Sequence, residues 1–486
     1  MQAETVPDYE MFVGGAWVSS HSGRRYPVFN PATGRVLGRV PKGDPEDARA
    51  AVDSAKRAFE DPSWREIDPS KRGRLLYKVA QSLRERLADL AKLETLNNGK
   101  PLGQAKGDVA MAARHFEYFA GLADKIQGST IPVPGKRLDY TVKEPLGVTA
   151  HVVPWNYPLV MAARSMAPAL AAGNTVVGKP ASFTPLTLLK LAELCKEAGI
   201  PDGVVNVVTG GGDEVGGSLI SHPDVKLTAL TGSVETGTKV MGLAAENLSR
   251  VILELGGKNP NIVFADADAG KAAAAVLNGI FTNAGQMCWA GSRLLVEEEV
   301  KDALLQRLVE GANSMRLGEG LRPETTMGPL VADSQRRRVA EYVESGIEEG
   351  ARVAAGGAAP EDDGLRSGYF YRPTILDGVT RDMKVHREEI FGPVLAVTAF
   401  KGEDDAVQKA NDSKYGLWAG VWTDDLRRAH NVAGKLESGI VTVNEEPVTF
   451  PQTPFGGFKS SGNSSEQGMD AVHSYVRVKN VSVNLA

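Results

Sequence analysis

The chain has 486 residues, 42% of them hydrophobic and 24% charged, and 55 basic against 60 acidic side chains leave a net charge of −5. That length exceeds one compact core and predicts two or three domains, while 53 Gly and 27 Pro without a period exclude collagen, coiled coil and bulk disorder. The charges form no basic stripe, so a nucleic-acid partner is not expected.

Two cysteines, Cys195 and Cys288, are too few for disulfide stapling and fit a reducing, cytoplasmic setting. Met1 to Glu10 carry neither the basic nor the apolar region of an export signal, so no export is expected. One long charge-poor stretch, Pro145 to Ala163, is broken by Pro154, Asn156 and Pro158 and carries His151. Such a stretch cannot form a continuous helix in lipid, so no membrane span is expected.

In chain order, the first clear helix lies between Ser70 and Leu96, where Leu75, Leu76, Val79, Leu83, Leu87, Leu90 and Leu93 form an apolar stripe. Ile131 to Val142 then reads as an alternating strand outside any helix–strand rhythm. Buried strands are predicted at Gly147–Val153, Thr175–Gly178, Val204–Val208, Lys226–Thr231, Asn261–Phe264 and Arg293–Val296. Helices between them start near Pro158, Pro185, Glu214, Glu235 and Ala269. That is a doubly wound α/β layout. A second α/β series follows, with strands near Val394–Phe400, Trp418–Trp422 and Ile440–Asn444, and helices near Ala332–Glu349, Asp404–Asn411 and Asp425–Leu436. The tail, Tyr475 to Val483, alternates again, and Val476, Val478, Val481 and Val483 would offer a sheet edge to another subunit.

Several motifs fall short. In Gly210-Gly211-Gly212-Asp213-Glu214-Val215-Gly216-Gly217 the third glycine of a dinucleotide fingerprint falls on Val215. In Gly232-Ser233-Val234-Glu235-Thr236-Gly237-Thr238-Lys239 the lysine of a phosphate loop comes one residue late. The seven histidines form no ligand cluster, so no metal is expected. No Gly-x-Ser-x-Gly occurs for a serine hydrolase.

Cys288 lies in the small, uncharged stretch Asn283-Ala284-Gly285-Gln286-Met287-Cys288-Trp289-Ala290-Gly291, which lets a backbone approach a thiol closely. A buried structural cysteine is the commoner fate of such a residue. Cys195, on an apolar helical pattern, takes that role here. Glu254 is a charge inside Val251-Ile252-Leu253-Glu254-Leu255, a placement that is costly without a purpose.

Seven segments decide the reading of Cys288: Pro154-Trp155-Asn156-Tyr157-Pro158, Gly178-Lys179-Pro180-Ala181-Ser182, Thr231-Gly232-Ser233, Leu253-Glu254-Leu255-Gly256-Gly257-Lys258, Gly285-Gln286-Met287-Cys288, Glu389-Ile390-Phe391-Gly392-Pro393 and Pro454-Phe455-Gly456-Gly457. In order and spacing the chain resembles the NAD(P)-dependent aldehyde dehydrogenase superfamily over essentially its whole length. The resemblance implies a Rossmann-type cofactor domain (residues 1–122 and 145–256), an α/β catalytic domain (257–465) and a small β oligomerisation flap (123–144 and 466–486). It implies a homodimer or homotetramer.

By the same resemblance Cys288 is the nucleophile, Asn156 the amide that donates to the oxyanion, and Glu254 the general base for thioester hydrolysis. Lys179 would hold the adenosine ribose, Trp155 would line the cofactor cleft, and Ser233 would meet the pyrophosphate. Glu389 would grip the nicotinamide ribose, with Phe391 bracing the ring. Ser182 stands where NAD-preferring members often carry Glu, so NADP is expected to be accepted alongside NAD. Arg164 stands where betaine-type members commonly place Trp, which disfavours a cationic substrate and offers an anchor for a carboxylate. Met287, Trp289, Phe450 and Phe455 suit a medium-sized aliphatic or aromatic aldehyde. The alternatives are a betaine or amino-aldehyde dehydrogenase, a coenzyme A-acylating dehydrogenase, which Glu254 argues against, and a non-catalytic structural relative.

Overall fold

The computed structural model describes residues 6–486; the first five positions of the segment read as lacking an export signal lie outside the described residues. Two seven-stranded sheets organise the chain. The first runs Arg250–Glu254, Val225–Thr231, Val148–Val153, Thr175–Pro180 and Val205–Val207 in parallel, then adds the antiparallel pair Met11–Val13 and Ala16–Val18. From the central strand Val148–Val153 the chain first builds towards Val205–Val207 and then returns to add Val225–Thr231 on the other side. In such sheets ligands bind at this reversal point, outside the carboxyl ends of the strands.

The second sheet runs Arg352–Ala355, Thr374–Asp377, Val394–Phe400, Arg293–Glu297, Pro260–Val263, Trp418–Trp422 and Ile440–Val443, and only its first strand is antiparallel. Both sheets are covered by helices on their two faces, as their apolar strands require. Between helix Leu102–Ala120 and the first sheet lies helix Pro158–Ala171, of which only Met161 is less than fully buried. Five alanines in that helix keep its girth small, so it can be sandwiched on every side.

Three expectations change in detail. The helix expected over Ser70 to Leu96 is two helices, Pro69–Glu85 and Leu87–Asn98, broken at Arg86. The second buries Glu94, Asn97 and Asn98 rather than continuing the leucine stripe, and it ends on Gly99 in the left-handed conformation (φ 99°). The strand expected from Ile131 starts at Arg137, because Pro132 and Pro134 lack an N–H and Gly135 turns the chain at φ 84°. The helix expected near Glu214 opens as one π-helical turn, Gly212–Gly216.

The tail strand Val476–Asn484 pairs antiparallel with Arg137–Pro145 of the same chain. Its other edge meets no strand among the described residues, and Val478 stays 65% exposed there. Among the described residues no helix is long and apolar enough to cross a membrane.

Candidate active site

Strand Val148–Val153 delivers Pro154, Trp155 and Asn156, and strand Val225–Thr231 delivers Gly232 and Ser233, to the reversal point of the first sheet. There they line a cavity of about 230 Å³ with Gly256, Cys288, Gln335, Arg338, Glu389 and Phe391. A second cavity, about 310 Å³, is lined by Gly107, Asp108, Met111, Tyr157, Val160, Met161, Arg164, Met287, Trp289, Thr449, Phe455 and Gln467. Asn156 and Cys288 line both cavities. The thiol therefore stands at the junction of a polar chamber and an apolar tunnel.

A left-handed run holds Cys288 in place. Asn283 (φ 50°), Ala284 (φ 53°) and Gly285 (φ 72°) succeed one another in a conformation that costs an L residue about 1–2 kcal/mol. Burial pushes the Cys288 thiol up to about 12; Glu389 and Glu254 raise it further and Arg164 opposes them. Cys195 is also pushed up to about 12, by burial alone, inside the core of the first domain. The Asn156 amide donates to the Gln286 carbonyl at 3.0 Å, two residues before the thiol, and its Oδ1 is buried without a partner.

Glu254 ends the edge strand Arg250–Glu254, and the chain then crosses to the second sheet through Gly256 and Gly257. A Cβ at Gly256 would strike the Glu389 carboxylate, and one at Gly257 the Cys288 carbonyl, so only glycine fits this crossing. Both Glu254 oxygens are buried without hydrogen-bond partners. Burial holds this carboxyl well above the usual range; Arg164 lowers it and Glu466 raises it. Glu254 is not among the lining residues of either cavity.

On the chamber side, the Glu389 carboxylate accepts from the Gly257 N–H at 3.0 Å, and burial pushes it to about 7. Phe391, at φ 60°, meets Trp155 edge to face with ring centroids 5.2 Å apart. Gln335 donates to the Phe391 carbonyl (2.7 Å) and Arg338 to the Glu389 carbonyl (3.0 Å). No motif marked these two, which read in sequence as the solvated face of a polar helix. Ser233 caps helix Val234–Ala245 by accepting from Thr236 N–H, so helix N–H groups face the chamber where an anion would lie.

Lys179 lines a further cavity, about 430 Å³, with Gly212, Asp213, Gly216, Gly217, Glu235, Thr236 and Lys239. Burial lowers its amine to about 8. The glycine run that misses the dinucleotide fingerprint thus lies beside the predicted ribose ligand. Ser182 is exposed nearby and donates to the Gly210 carbonyl at 3.2 Å. This cradle of helix N-terminus, apposed glycines and paired aromatics fits a dinucleotide.

Two expectations for the tunnel are corrected. Arg164 is no free anchor for a substrate carboxylate: its Nε lies 2.5 Å from Glu466 and its guanidinium packs 4.5 Å from the Phe455 ring centroid. Phe450 is 52% exposed and does not line the tunnel, where Thr449 stands instead. Met287, Trp289 and Phe455 do line it, and Trp289 meets Phe455 edge to face at 5.4 Å. Tyr157, inside the first quoted motif, Met161, just after it, and Asp108 and Met111, on an unremarkable helix, complete the wall.

The sequence profile of the aldehyde dehydrogenase family matches residues 17–481. Betaine aldehyde dehydrogenase of Bacillus subtilis is 44% identical over 98% of this chain and 97% of its own length. Aldehyde dehydrogenase 1A1 of Homo sapiens is 46% identical over 98% of this chain and 95% of its own. The NAD+ complex of betaine aldehyde dehydrogenase from Staphylococcus aureus superposes with a TM-score of 0.96 at 40% identity, covering 98% of this chain and 95% of that one. The NAD+ complex of an aldehyde dehydrogenase from Bacillus cereus gives 0.96 at 44% identity, covering 99% and 97%. A thiol-bearing junction on this fold and similarity along nearly the whole sequence lead to one conclusion: the chain belongs to the aldehyde dehydrogenase family.

Proposed function

We propose that the protein oxidises a neutral, medium-sized aliphatic or aromatic aldehyde to its carboxylic acid, with NAD or NADP as oxidant. The observation that carries this reading is that Asn156 and Cys288 alone are shared by the chamber and the tunnel. An aldehyde in the tunnel presents its carbonyl carbon to Cys288, whose sulfur adds to it while the thiol proton leaves to solvent water. The resulting oxyanion accepts from the free N–H of Asn156 and the backbone N–H of Cys288. NAD(P), when bound by Ser233, Glu389, Phe391 and Trp155 in the chamber and by Lys179 in the further cavity, would supply the acceptor for the hydride that leaves this carbon, and a thioester on Cys288 remains. Glu254 takes a proton from a water that attacks the thioester; the carbon–sulfur bond breaks, the acid departs, and the proton on Glu254 passes to the departing sulfur, restoring both the Cys288 thiol and the Glu254 carboxylate.

The tunnel supports a neutral substrate. Met111, Val160, Met161, Met287, Trp289 and Phe455 are apolar, Arg164 is neutralised by Glu466, and Asp108 is neutralised by Lys100. A cationic betaine or amino-aldehyde is the second reading, favoured by the names of the relatives and by the carboxylate of Asp108 in the wall. Initial rates with aliphatic, aromatic, cationic and carboxylated aldehydes, each with NAD and NADP, separate the readings. A clear lead for cationic aldehydes overturns the first, and no NADP-linked turnover overturns the role given to Ser182. Glu254 favours hydrolysis over transfer to coenzyme A. Formation of acyl-coenzyme A in place of the acid would reverse that, and no NAD(P)H with any aldehyde would leave a non-catalytic relative.

A division into a cofactor domain (1–122 and 145–256), a catalytic domain (257–465) and a flap (123–144 and 466–486) is part of this proposal, and the two sheets and the two-stranded ribbon support it. The unpaired edge of Val476–Asn484 supports a homodimer or homotetramer. Val478→Asp should lower the mass measured by light scattering. A reducing, cytoplasmic location accords with the free Cys288 thiol that the reaction requires.

A further inference from the structure

We propose that Lys100 is a positioning residue for the oxyanion donor, holding the main chain of Asn156 so that its amide faces Cys288. This rests on the role given to Asn156 above. Lys100 follows the left-handed Gly99 that ends helix Leu87–Asn98, and its side chain is 0% exposed. A buried ammonium requires partners, and here they are specific. Its Nζ donates to the Asn156 carbonyl at 2.9 Å, pairs with the Asp108 carboxylate and lies 3.8 Å from the centre of the Tyr157 ring.

The Asn156 carbonyl also accepts from Asn283 Nδ2 at 2.9 Å and from Asn98 Nδ2 at 3.3 Å. Three side chains from two distant parts of the chain, Asn98 and Lys100 on one and Asn283 on the other, thus converge on one peptide oxygen, more donors than a helix entry requires. Asn98 additionally holds the Trp155 carbonyl at 2.9 Å. Asn283 belongs to the left-handed run that sets Cys288, and Gln286 Nε2 donates back to the Asn283 carbonyl at 2.9 Å.

The Asn156 amide, with one N–H on the Gln286 carbonyl, has one N–H left for the oxyanion. Its direction is therefore set by two anchors, the Gln286 carbonyl ahead and the Lys100 ammonium behind. Asp108, which orients Lys100, lines the tunnel, so the substrate wall and the oxyanion donor share one buried ion pair.

The test compares Asn156→Ala, Lys100→Met/Asp108→Asn and all three substitutions together. The paired change removes both charges of the ion pair; the buried Glu94 carboxyl, on which Lys100 also acts, loses that cation, so the thermal midpoint is read beside activity. Readouts are kcat with aldehyde and NAD, the KM for NAD, the thermal midpoint, and the acylation of Cys288 by p-nitrophenyl acetate, which forms an oxyanion without hydride transfer.

The paired variant should lose about tenfold or more in both kcat and acylation, as a slightly misplaced catalytic group does, with the KM for NAD unchanged. Added to Asn156→Ala, it should cost little further, because the two act as a unit. A paired variant that keeps wild-type kcat, or losses that simply multiply, overturns the proposal. A silent Asn156→Ala overturns the oxyanion reading itself. Should the paired variant not fold, Asn283→Ser removes another donor to the same carbonyl without touching a charge. It should show the same joint loss, and wild-type kcat and acylation in it overturn the proposal.

Discussion

Arg164 and Glu466 form an ion pair at 2.5 Å with side chains only 2% and 4% exposed, and both bear on Glu254. Removing one partner strands the other in a dry site. Arg164→Met should cost about 3–5 kcal/mol in urea unfolding, and Arg164→Met with Glu466→Leu should recover most of it. An exposed, dispensable pair would cost under about 1 kcal/mol.

Burial raises the Glu254 carboxyl, and the same pair modifies it from both sides. Glu466 raises its pKa, so Glu466→Gln should move the ascending limb of the thioester-hydrolysis pH profile to lower pH. A shift to higher pH would contradict the arrangement. The comparison is made by following acyl-enzyme breakdown from pH 6 to 9.

Glu254→Gln keeps the size of the side chain and removes its basicity. Turnover should fall by about 10²–10⁴, the contribution of a positioned general base. A stoichiometric burst of NAD(P)H should precede the slow steady state, with the acyl group on Cys288 visible by intact-protein mass spectrometry. Loss of the burst along with turnover would place Glu254 in thiol activation rather than hydrolysis.

Asn156→Ala should cost about 2.7–4 kcal/mol of transition-state stabilisation, read as a fall in kcat/KM, with nucleotide affinity retained. Equal loss in nucleotide affinity would mean that the loop, not the donor, was damaged.

Burial pushes the Cys288 thiol up to about 12, so little thiolate exists at neutral pH in the free enzyme. Inactivation by iodoacetamide should therefore accelerate steeply and without a plateau from pH 7 to 9. Glu389 raises this thiol, and Glu389→Gln should make alkylation at pH 8 faster. Slower alkylation would contradict the sign.

Much of the architecture is legible in the residues. Strands such as Val148–Val153 and Trp418–Trp422 are short apolar runs between helical patterns, and burial on both faces demands that composition. Cys288, Glu254 and Asn156 stand in motifs whose spacing survives in one sequence. What sequence conceals is partnership at a distance. Arg164 reads as an available cation because Glu466 lies far along the chain, in a segment assigned to the flap. Phe450 reads as tunnel lining because it is an aromatic in the loop before Pro454, yet the turn at Thr449–Thr453 directs it outward. Lys100 carries no signal, since a lysine after glycine at a helix end is ordinarily solvated. The break at Arg86 is equally silent, because the leucine spacing runs on across it.

The junction at Cys288 also bears on the order of events. The tunnel and the chamber share no lining residue apart from Asn156 and Cys288, so a ligand seated in one leaves the walls of the other free except at the thiol and its neighbouring amide. An aldehyde in the tunnel and a nucleotide in the chamber can therefore be held at the same time, meeting only at Cys288 and Asn156. Kinetic order in this enzyme is then a matter of affinity and chemistry, not of one ligand standing in the other's path.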